Sequence, residues 1–192
     1  IDGAYLKNVT IENCTFTVPD YSDGGTQPAS GQTAINLMTD LMNVYENITI
    51  EDNEIYNYFQ GVYVQNGNGM TVSKNTISGT VHNAIAVQSG GNAGASDPDA
   101  DYFTGVIIIS DNIISDTGDR AIRFGSGRDA TINVSGNTFT RAADGSNELL
   151  KSEALTDCTY EFTSNTYEGG TMSESESEYN DGIQWIVIVV AQ

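Results

Sequence analysis

The chain has 192 residues, enough for one domain. Its 26 acidic and 7 basic residues give a formal charge of −19, which argues against nucleic acid or an anionic membrane as a partner because the mean field repels phosphate. No apolar run is long enough to span a bilayer, and two cysteines are too few for a disulfide scaffold.

Read along the chain, one short unit returns six times: two apolar residues one apart, two small or polar residues, an Asn, any residue, and a further large apolar residue. It begins as Val9-x-Ile11-x-x-Cys14-x-Phe16, with Cys in the Asn position. It continues as Ile48-x-Ile50-x-x-Asn53-x-Ile55, Met70-x-Val72-x-x-Asn75-x-Ile77, Ile107-x-Ile109-x-x-Asn112-x-Ile114, Ile132-x-Val134-x-x-Asn137-x-Phe139 and Tyr160-x-Phe162-x-x-Asn165-x-Tyr167. A second alternating unit follows each copy: Ile35-Asn36-Leu37, Val62-Tyr63-Val64, Ile85-Ala86-Val87, Ile122-Arg123-Phe124, Leu150-Lys151-Ser152 and Ile183-Gln184-Trp185.

Successive copies of the Asn position are 39, 22, 37, 25 and 28 residues apart, the uneven period of a solenoid with insertions. A period of 2 inside each unit marks strands with one wet and one buried face, and no segment holds a helical period. Two such strands per repeat, stacked coil on coil, form parallel ladders. The expected fold is all-β: a right-handed parallel β-helix of about six coils, one domain over 1–192. In it the Asn residues stack inward at the turn between strands and take the left-handed backbone of that bend. Cys14 is expected buried, and both cysteines reduced, since five rungs of about 4.8 Å separate Cys14 from Cys158.

This repeat grammar, from residue 5 to 187, resembles the pectin-lyase-like superfamily and its parallel β-helix repeat proteins of the carbohydrate-binding and sugar-hydrolysis type. The resemblance implies that the outward residues of the second strands form a flat ladder on which polysaccharide is laid. That column reads Asn36, Tyr63, Ala86, Arg123, Lys151 and Gln184, with Gln65, Gln88 and Glu153 outward beside it and Gln60, His82, Asn83, Asp119 and Arg120 just before the strands. Tyr63, Gln65, Gln88 and Arg120 are the expected glycan-contacting residues. The polygalacturonase motifs Asn-Thr-Asp, Asp-Asp, Gly-His-Gly and Arg-Ile-Lys are missing.

Five of the seven basic residues (Arg120, Arg123, Arg128, Arg141 and Lys151) fall between residues 120 and 151. A uronate lyase needs a cation to neutralise the sugar carboxylate and a base to remove the acidified C–H proton. Arg123 and Lys151, one rung apart, supply those parts in a catalytic reading, with Asp116 and Asp119 holding the arginine or a calcium ion. In the plainer reading they pair with Asp119, Glu148 and Glu153 as surface ion pairs. Asp97, Asp99 and Asp101 alternate as in the opening of a calcium loop, but Tyr102 stands where that loop needs Gly.

The sequence-level expectation is a secreted or cell-surface bacterial module, non-catalytic, that contacts glycan or serves as a stalk. A polysaccharide lyase-like enzyme is the alternative. Further coils or a domain are expected on the N-terminal side, because the first strands begin close to Ile1 without a capping helix. The apolar run Ile186 to Val190 is expected to prolong the last strand and cover the other end. The Glu174, Glu176 and Glu178 run is expected to be an acidic loop.

Overall fold

The computed structural model describes residues 6–19, 26–38, 45–89, 102–140, 148–179 and 183–191, and none of these residues is helical. The chain winds through β1 (Leu6–Lys7), β2 (Thr10–Glu12), β3 (Thr15–Thr17) and β4 (Thr33–Leu37) in its first coil. The second coil holds β5 (Tyr45–Glu51), β6 (Glu54–Tyr56) and β7 (Gln60–Gln65), and the third β8 (Gly67–Ser73), β9 (Thr76–Ser78) and β10 (Ile85–Gln88). The fourth holds β11 (Phe103–Ser110), β12 (Ile113–Ser115) and the first half of β13 (Ile122–Ser135). The second half of β13 opens the fifth coil, followed by β14 (Thr138–Thr140) and β15 (Glu148–Thr156). The sixth contributes β16 (Thr159–Thr163) and β17 (Thr166–Glu168), and a hairpin of β18 (Thr171–Tyr179) and β19 (Ile183–Ala191) follows.

Each full coil therefore has three strands, not two: the repeated unit is itself a strand, a one-residue bend and a second strand. The first face runs through β5, β8, β11, the end of β13 and β16. The second face is a 6-stranded parallel sheet from β3 to β17. The third runs β4, β7, β10, the start of β13 and β15, all parallel. The alternating apolar residues point into one continuous core, with Ile50, Val72, Ile109 and Val134 fully buried and Val9 and Phe162 half-buried against it. Burying each such aliphatic side chain contributes about 1.5–3 kcal/mol.

The Asn ladder stands at the bend between the first two faces. Asn75 Oδ1 accepts from the backbone N–H and the Nδ2 of Asn53, both at 3.0 Å. The same pair of bonds repeats from Asn75 to Asn112, from Asn112 to Asn137 and from Asn137 to Asn165. The left-handed backbone belongs not to these Asn residues but to the residue before each: Asp52, Lys74, Asp111, Gly136 and Ser164 have φ between 53° and 67°. A single left-handed residue turns the corner and frees the following Asn to point inward.

Cys14 heads the column, but it is exposed rather than buried, because only Asn53 flanks it among the described residues. Both thiols are unbridged. The Ser-Glu run is a strand, β18, and not a loop. It sends β19 back antiparallel against β15, so Ile183–Trp185 is not a sixth parallel rung, and Gln184 lies opposite Leu155 instead of beside Lys151. Ile188 and Val190 of β19 are buried in the core, as the expected cover requires.

Candidate functional site: the outer surface of the third face

Four columns of side chains build this surface, because strands in register stack equivalent residues one rung apart. The central column is Asn36, Tyr63, Ala86, Arg123 and Lys151. Tyr63 accepts from Gln65 Nε2 at 2.8 Å and donates to Gln88 Oε1 at 3.3 Å. Gln88 lies one rung across and two residues along, so these bonds draw the ring diagonally toward Ala86, which is fully buried. Tyr63 is half-buried, a condition that raises its phenol above the usual value, with the Gln65 bond and the Arg123 charge pulling the other way. Gln65 faces outward as expected but is buried, tucked against the tyrosine hydroxyl.

The cations are each held by carboxylates. Arg120 donates to Asp119 at 2.8 Å and through Nε and Nη2 to a single oxygen of Glu148, at 2.8 and 2.5 Å. Lys151 approaches the same Glu148 oxygen at 3.7 Å. Arg123 pairs with Glu153. Arg123 and Lys151 are rung neighbours as expected and pair with Glu153 and Glu148, two of the partners the plainer reading names; Asp119 pairs with Arg120 instead of Arg123, and Asp116 accepts from Ser78 Oγ at 3.2 Å. The reason is column geometry. Arg120 and Glu148 both stand two residues before the registered core pair Ile122 and Leu150, whereas Arg123 points outward from inside the strand toward Glu153. Arg123 Nε is buried without a hydrogen-bond partner.

A further column lies three residues before the registered core residues Val62, Ile85 and Ile122: Phe59, His82 and Asp119. His82 stacks on Phe59 with centroids 5.4 Å apart, and its Nε2 lies 3.2 Å from Asp119. With Nε2–H facing the carboxylate, Nδ1 accepts from Asn83 Nδ2 at 2.8 Å. Burial lowers the imidazole pKa, and Arg123 and Arg120 add to that against the opposing pull of Asp119. The expected site did not include Phe59; counting back three residues from Val62, Ile85 and Ile122, the first apolar residue of each alternating unit, finds it.

Chemically, this surface offers a tethered aromatic ring, amide groups at rung spacing and internally compensated charges. No group of three or more His, Cys, Asp and Glu that could hold a metal occurs among the described residues, and Asp97, Asp99 and Asp101 lie outside them. No helix among the described residues is long and apolar enough to cross a membrane.

A family model described as "Right handed beta helix region" matches residues 2–167. The chain belongs to the right-handed β-helix family. No curated protein and no solved structure matches it. The match runs from before β1 into β17, so in this β-helix the Tyr63 platform and the cation network lie within family coils, while the β18–β19 hairpin lies beyond them.

Proposed function

We propose that this β-helix is a non-catalytic module of an exported bacterial surface protein and that its third face contacts glycan. One observation carries the reading: Tyr63 is drawn toward Ala86 by bonds from its hydroxyl to Gln65 and Gln88, which presents a ring beside a row of amides. Such a platform suits the apolar face of a sugar, while the amides suit its hydroxyls. The ring is restrained before any ligand arrives, which limits the ordering cost of binding. The acidic composition favours solubility outside the cell.

Affinity electrophoresis through gels containing neutral and uronate polysaccharides tests this. Retardation by at least one polymer, lost in Tyr63→Ala, is expected; unretarded migration in all of them, or retardation that Tyr63→Ala leaves intact, refutes it.

A second reading is a polysaccharide lyase-like activity, favoured by the position of Arg123 and Lys151 on adjacent rungs and by the unpartnered Arg123 Nε. It requires unsaturated, ultraviolet-absorbing product from polygalacturonate or alginate, with or without calcium. Arg123→Ala and Lys151→Ala would each abolish that product. The same assay without product, together with Tyr63-dependent retardation, supports the binding module.

A further inference from the structure

We propose a second ligand site, on the first face, that takes a single neutral sugar unit. It is a groove of about 440 Å³ across β5, β8 and β11, within the usual size of small-molecule sites. Asn47, Thr49, Asn68 and Thr71 line it with amides and hydroxyls, and Val106 and Ile108 give it an aliphatic wall.

A bulge shapes the groove. Thr104 pairs with Asn68 and Ile107 with Met70, so Gly105 and Val106 together oppose Gly69 alone. The extra residue turns Val106 outward, leaving it 50% exposed. Gly69 carries no side chain between Asn47 and Val106, and this absence opens the recess. Gly105 cannot be replaced without moving the wall: a Cβ there would fall 2.6 Å from Asn68 Oδ1 and 3.0 Å from Gly69 N, and its φ is +72°.

The ligand class follows from the lining. None of the ten lining residues is ionisable, although the chain carries 33 charged side chains, 26 acidic and 7 basic. The lining therefore offers no counter-charge to an anion or a cation. A neutral sugar ring meets both surfaces: hydroxyls toward Asn and Thr, and C–H groups toward Val106 and Ile108. This site lies on a different face from Tyr63 and stands or falls independently of the reading above.

Saturation-transfer NMR with glucose, galactose, mannose and N-acetylglucosamine tests it, with glucuronate as the charged control. The proposal expects signal from at least one neutral sugar and weaker signal from glucuronate. Thr71→Trp, which fills the groove from an outward strand position, should weaken binding about tenfold or more with an unchanged melting curve. Asn47→Gly, which removes an amide yet keeps a left-handed residue (φ 51°), provides the check if the tryptophan variant does not fold. The groove variants are compared in a Tyr63→Ala background, where neutral-sugar signal comes from the groove and not from the third face. No signal from any neutral sugar overturns the proposal, as does equal signal from glucuronate or persistence in both groove variants. Signal lost in Tyr63→Ala alone also overturns it, while assigning the sugar to the third face.

Discussion

Replacing Asn112 by alanine probes the ladder at its middle, where both neighbouring rungs are complete. Asn112 is fully buried; its Oδ1 accepts from Asn75 N and Nδ2, and its own Nδ2 donates to Val72 O and Asn137 Oδ1. Truncation leaves the Asn75 backbone N–H without that acceptor, whereas Asn75 Nδ2 keeps the carbonyls of Ile50 and Ser73. One orphaned buried donor costs about 1–3 kcal/mol. For a chain of this size about 2 kcal/mol lowers the melting temperature by about 4–8 °C, measured by circular dichroism. The companion variant Asn112→Asp separates hydrogen bonding from packing. It keeps an acceptor for Asn75 but faces Val72 O and Asn137 Oδ1 with a carboxylate oxygen, so it should destabilise more than alanine. Alanine melting with the parent, or aspartate melting above alanine, would refute the inward ladder as a stabilising device.

Ile50→Asp places a carboxylate at a fully buried position of β5 and should leave the chain unfolded at room temperature; a parent-like far-ultraviolet spectrum would remove the register. His82 takes its proton at lower pH when folded than when unfolded, so the unfolded state binds more protons in between. The stability it confers is whole above the ordinary histidine value of about 6.5 and falls as the pH drops through that value toward the folded pKa. His82→Gln should therefore lose less melting temperature than the parent between about pH 7.5 and 5, and an equal slope in the two proteins would contradict the assignment.

The columns of the third face were readable because Val62 and Val64, Ile85 and Val87, and Ile122 and Phe124 bracket each outward residue with core neighbours. Gln184 carried the same signature and still fell outside the column, since alternation marks a strand without marking its direction. Strand number was hidden for a related reason: the bend before each ladder Asn takes one residue, too short to break the apolar pattern. Cys14 matched a buried column, yet burial depends on neighbours on both sides, which an end rung lacks. The pairs of Arg123 with Glu153 and of Lys151 with Glu148 were legible as surface ion pairs, whereas the capture of Asp119 by Arg120 depended on how far long side chains reach between rungs, something alignment alone leaves open. The groove left no signal in the apolar pattern, because it arises from a two-against-one mismatch at Gly69.

The reversed strand at the end of the stack bears on self-association. In a parallel solenoid, the lower edge of each strand is a template for the next turn, and an identical molecule could add there end to end as readily as a coil does. Beneath β15 that template is already occupied by β19, running the opposite way. A second copy arriving in register finds no free row of amides beneath β15 and a strand running the other way, so the hairpin of the same chain blocks parallel, coil-like addition on β15.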